Sequence, residues 1–164
     1  MLDTKSASTP EVVGNTLSIT NGDLFPDSHL YRNTVGVFQY VTFTRPNILF
    51  FVNKACQFMA NPTITHWLAV KRILRYLEGT FTHGILIHAV TSLDVHDYTD
   101  VDWASCPDDR HNTGGYCLFL GPNLISWSYT KQKVVSYSCA ESEYRAFAFL
   151  TAKITWYIYH LSTK

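Results

Sequence analysis

Residues 96–109, "HDYTDVDWASCPDD", decide how this chain is read. They begin as a β-strand, with Val95, Tyr98 and Val101 set among short polar residues. Yet five aspartates, Asp97, Asp100, Asp102, Asp108 and Asp109, fall within these positions. A strand end left in water can carry solvated aspartates, so the pattern alone leaves two readings open. The other is that the carboxylates are put to use.

Residues two apart in a strand share a face, which sets the side chains of Asp100 and Asp102 roughly 6 to 7 Å apart. Carboxylates on one face suit a hard divalent cation such as Mg²⁺, which takes oxygen ligands and keeps waters. Two-metal phosphodiester chemistry asks for more, namely carboxylates from several elements around ions about 3.5 to 4 Å apart. A second element is therefore needed.

The helix expected over residues 138–161 offers one. Ser138 and Glu141 have the spacing of a capping box, which gives Glu141 a structural task. Glu143 heads an apolar stripe that continues through Phe147, Leu150, Ile154, Tyr157 and Leu161. A carboxylate on a sheet-facing stripe is costly unless something pairs with it, and a metal shared with Asp100 would do so. Glu141 lies about 200° round the helix from Glu143 and cannot aim at the same place. Asp100 and Glu143 are the candidate ligands.

Working outward, "GILIH" (84–88), "LDVHDYTDV" (93–101), "GGYCLFL" (114–120) and "LISWSY" (124–129) read as strands, the last two joined at Gly121-Pro122-Asn123. Upstream, three helices are expected in series: from Asp27 or Ser28 to Arg45, from Pro46 to Asn61, and from Thr63 to Gly79. Residues 1–26, rich in Ser, Thr, Asn and Gly, read as an extended leader mostly outside the core. The fold class is α+β: helices, then an antiparallel meander, then one long helix.

The bulk numbers narrow the function classes. The chain has 164 residues, enough for one domain and an appendage. Only 16% are charged against 46% hydrophobic, and the formal net charge is +0, which speaks against strong independent nucleic-acid binding. Local patches stay open: Lys71, Arg72 and Arg75 share one side of the third helix, and Lys131 and Lys133 follow the hairpin. These five are candidate phosphate contacts, a solvated helix face being the plainer reading for the first three. The four cysteines form no CxxC pair and no apolar secretion segment opens the chain, so an intracellular protein with reduced thiols is expected, cytoplasmic or nuclear and not secreted. The greasy run from Ala146 to Leu161 is broken by Lys153 and His160 and is too short to span a bilayer, so no membrane partner is expected. The seven histidines show no metal spacing, and "NTGGY" is no phosphate loop.

Taken together, "YRNTVGVFQYVTFTRPNILFFVNKACQFMANPT", "HWLAVKRILRYLEGT", "YTDVDWASCPDDRHNTGGYCLFLGPNLISWS" and "AESEYRAFA" closely resemble the Pol polyprotein of copia-type LTR retrotransposons, common in plants. The resemblance covers about residues 24–160. It implies that residues 27–92 are the thumb and connection end of a reverse transcriptase and that 93–164 open a ribonuclease H domain. It places that domain's first catalytic aspartate on Asp100 and its glutamate on Glu143, with Mg²⁺ or Mn²⁺ as cofactor and RNA–DNA hybrid as partner. Asp102 matches a family position too and joins the metal set in a supporting role. The polymerase aspartates would lie upstream of Met1. The domain's next strand, bearing another aspartate, would come after Lys164. The expectation is thus a truncated, non-catalytic polyprotein fragment. The alternatives are an active or partner-completed ribonuclease H and a weak nucleic-acid-binding module.

Overall fold

The computed structural model describes residues 5–11, 17–90, 94–103, 108–132 and 134–162, with Leu161 and Ser162 described by backbone alone. It divides into two compact units, Met1–Ile85 and Leu86–Lys164.

The first unit is built on three helices. Helix α1, Ser28–Val41, starts where the Asp27 carboxylate accepts the Leu30 N–H (2.8 Å) and buries Tyr31, Val35 and Phe38. Arg45-Pro46 breaks the chain as the sequence predicts. A 3₁₀ turn, Pro46–Ile48, leads into a short α2, Leu49–Cys56, so the expected single helix from Pro46 to Asn61 is split and ends early. Helix α3, Ile64–Gly79, is capped by Thr63, and its partner at the third position is His66. The Thr63 N–H donates to His66 Nδ1 (3.0 Å), the His66 N–H donates to Thr63 Oγ1 (3.4 Å), and the ring stacks on Phe58. Tyr31, Val35, Phe38, Ile48, Val52, Ala55, Val70 and Ile73 form one core.

Arg45 is buried, and its guanidinium closes the end of α3. It donates to the Thr80 carbonyl (2.8 Å), to Thr80 Oγ1 (2.7 Å) and to Asn47 Oδ1 (3.3 Å). Orphan carbonyls at a helix C-terminus accept such a cation readily.

The described parts of the segment expected to lie mostly outside the core, residues 5–11 and 17–26, stay largely exposed but touch the helices. Leu17 is buried, Ser18 O meets His66 Nε2 (3.1 Å), and Phe25 stacks on Trp67. The Ala7 N–H donates to Arg75 O, and Glu11 pairs with Lys54 (2.6 Å). Leu17 apart, the described residues of this segment are exposed or half-buried, and their contacts are made by backbone and by a few side chains.

The second unit holds an antiparallel meander of three strands, β1 (Val95–Asp102), β2 (Thr113–Leu120) and β3 (Asn123–Lys131), in the order β1-β2-β3. The β2–β3 turn is two residues long, with Gly121 at φ +56°, a value that suits glycine in such hairpins. "GILIH" is not a strand. The Asn123 side chain takes both backbone groups of His88, accepting its N–H (2.7 Å) and donating to its carbonyl (2.9 Å). Alternation makes a strand only where a sheet edge is free to pair, and here one side chain stands in for the edge.

Helix α4 spans Cys139–Ser162. Its buried line runs through Ser142 and Leu150, with Ala146 half-buried between them. The expected stripe holds at Leu150, with Ile154 and Tyr157 half-buried, but its start is one residue out of phase: Phe147 is 60% exposed and Glu143 is exposed, and the side chain of Leu161 lies outside the described residues. Among the described residues no helix is long and apolar enough to cross a membrane.

Candidate carboxylate site

Gly114 fixes which sheet face α4 covers. A Cβ on it would sit 3.7 Å from Val101 Cγ2 and 3.9 Å from Ala146 Cβ, so Val101 shares the helix side. By strand alternation Asp100 and Asp102 spring from the other face. Even so, Asp100 and Glu143 line one groove of about 470 Å³ along β1 and the start of α4, with Thr99, Val101, Ala140 and Phe147. The Asp100 carboxylate is held against its own strand, where Oδ1 accepts the Val101 N–H (2.9 Å).

On α4, the Cys139 thiol donates to Glu143 Oε1 (3.4 Å), and that bond to a carboxylate, ahead of desolvation and charge, pushes the thiol pKa up. Glu141 is engaged elsewhere. It accepts the Tyr137 N–H (2.9 Å) and pairs with Arg145 (2.8 Å), and these hold its carboxyl below the ordinary range. Ser138 caps as expected, accepting the Glu141 N–H (3.1 Å), while Glu141 reaches back one residue further than a capping box requires.

Asp102 is placed differently from Asp100. Its Oδ2 accepts the Tyr129 hydroxyl (3.2 Å) from β3. Among the described residues no three His, Cys, Asp or Glu side chains gather as a metal set. Two carboxylates on one groove, one on a strand and one on a helix, could hold a hard cation with water filling its other positions.

The basic candidates belong to both units, three on α3 and one on β3. Arg72 donates to the Thr9 carbonyl (3.1 Å) and to Thr9 Oγ1 (2.9 Å). Arg75 and Lys71 are half-buried on the same helix, and Lys131 pairs with Asp109 (2.6 Å). Lys133 and Cys106 lie outside the described residues. Sequence reasoning passed over Gly115 and Tyr129. A glycine inside a strand, which marks a close approach, was the available signal.

No known family profile matches the chain, and no solved structure matches it. An uncharacterized mitochondrial protein of Arabidopsis thaliana is 45% identical over 95% of the chain, which spans 65% of that protein. The retrovirus-related Pol polyproteins from transposons RE2 and RE1 of Arabidopsis thaliana are each 44% identical over 95% of the chain, which spans 11% of either. The chain belongs to the retrovirus-related Pol polyproteins of plant copia-type transposons, matching one segment of them.

Proposed function

We propose that the second unit is the opening part of a ribonuclease H-like domain and the first the thumb and connection end of a reverse transcriptase. One observation carries this: Asp100, on a strand paired on one side only among the described residues, and Glu143, near the start of α4, line the same groove. Both are hard oxygen donors that fit Mg²⁺ or Mn²⁺, and a cation there would stabilise charge on a scissile phosphate of an RNA–DNA hybrid. Two-ion cleavage needs more carboxylates than these two, and Asp109 is held by Lys131. By itself the chain is therefore non-catalytic, and the family's activity belongs to the longer polyprotein.

Incubation with labelled RNA–DNA hybrid and Mg²⁺ or Mn²⁺ tests this. Folded protein should leave the hybrid intact. Cleavage that disappears in Asp100→Asn would show a complete site and overturn the non-catalytic reading. A partner-completed ribonuclease H is the second reading, favoured by α4, where Tyr144, Phe147, Trp156 and Tyr159 stand exposed. Cleavage restored by the remaining polyprotein segments would establish it.

A further inference from the structure

Tyr129 reaches across the whole sheet. In the register Asp100, Gly115 and Tyr129 lie side by side on β1, β2 and β3, and Asp102 is the next residue of β1 on that face. Two strand spacings separate β3 from β1, about 9.6 Å. A tyrosine covers that span only if the middle strand offers no side chain beneath the ring, and Gly115 offers none; the next residue of β2 on that face, Thr113, meets the hydroxyl instead. A Cβ on Gly115 would come within 2.9 Å of Tyr129 Cδ2, so the ring lies where that atom would be. The hydroxyl then donates to Asp102 Oδ2 (3.2 Å).

We propose that Tyr129 is a positioning residue for the carboxylate site: a strut from β3 that anchors the end of β1 through Asp102 and so holds Asp100 at the groove. This rests on the reading of Asp100 and Glu143 as metal carboxylates. Among the described residues strand β1 is hydrogen-bonded to β2 alone, and edge strands are the first to loosen. The strut gives its last residues a second attachment, from β3, whose hydroxyl end is shared with Thr113 of β2. It also gives Asp102 a role that needs no metal contact. The surroundings agree, since burial and the nearby Asp102 and Asp100 push the Tyr129 hydroxyl well above the ordinary tyrosine range, so it stays a donor.

The Val101 amide reports directly on Asp100, because that N–H donates to Asp100 Oδ1. The experiment uses the full chain, with ¹⁵N NMR amide exchange and Mn²⁺ titration monitored by electron paramagnetic resonance, on wild type, Tyr129→Phe, Asp102→Asn and Asp100→Asn. In Tyr129→Phe the ring remains and only the hydroxyl is lost. Val101 should exchange at least about fivefold faster, a rise confined to the end of β1, and Mn²⁺ affinity should fall. Asp102→Asn keeps an acceptor for the hydroxyl and should leave Val101 exchange close to wild type.

Unchanged Val101 exchange in Tyr129→Phe overturns the strut, whatever the metal does. Loss of Mn²⁺ in Asp102→Asn equal to that in Asp100→Asn overturns it too, by making Asp102 a ligand. A faster Val101 amide in a protein that binds no Mn²⁺ upholds the positioning of Asp100 and removes the metal reading alone.

Discussion

Glu141 and Glu143 stand two positions apart on one helix, and their partners divide their work. Glu141 serves the helix start: its carboxyl is held down first by the Tyr137 N–H and then by Arg145. A carboxyl depressed in the folded state stabilises above its unfolded value, and that contribution goes as pH falls through the folded one. Glu141→Gln should therefore flatten the loss of α4 helicity below roughly pH 4.3, measured by circular dichroism. Glu143 instead bonds the Cys139 thiol, which is kept protonated and slow to react. In metal-free buffer Glu143→Gln should speed alkylation of Cys139 about threefold, read by mass spectrometry. His66 is fully buried, caps α3 and meets Ser18 O. His66→Ala should cost about 2 kcal/mol in urea unfolding. Helical geometry set Glu143 apart from Glu141, but on a sheet-facing stripe that the structure leaves exposed at Glu143 and Phe147; the caps at Asp27, Thr63 and Ser138 were legible from residue type. The histidine cap was not, because the familiar box asks for Glu or Gln at that place.

At the level of elements, the phase of α4 shows what hydropathy leaves out. Two lines share Leu150 and Ile154, one through Phe147 and one through Ser142 and Ala146, and the apolar count prefers the first. The sheet prefers the second, because Gly114 faces Ala146 and small residues let the helix come close. The aromatic residues then turn outward. Pairing also decided against "GILIH", whose Leu86 and Ile87 are largely exposed. The three strands that do pair were readable from alternation and from the Gly121-Pro122 turn, since both are local properties. Gly115 carries a prediction at this scale. Gly115→Ala would drive its Cβ into the Tyr129 ring and should lower stability by about 1 to 2 kcal/mol in thermal melting. Pairing the change with Tyr129→Ala should recover part of that loss.

Across the whole molecule the two units are unequally built. The first buries Tyr31, Val35, Phe38, Ile48, Val52, Phe58, Val70 and Ile73 among others, while in the second the buried hydrophobics among the described residues are Leu118 and Leu150. Expressed separately, residues 1–85 should melt in one sharp transition by calorimetry. Residues 86–164 should melt broadly and bind a hydrophobic dye. A sharp transition from the second piece and none from the first would contradict this. Arg45 adds a last consequence. It is a buried cation whose hydrogen-bond partners are all neutral oxygens, so mobile ions have no opposite charge to compete for there. Its hold on the end of α3 should feel ionic strength little, and the first unit should keep its α3 cap as readily in molar salt as in dilute buffer.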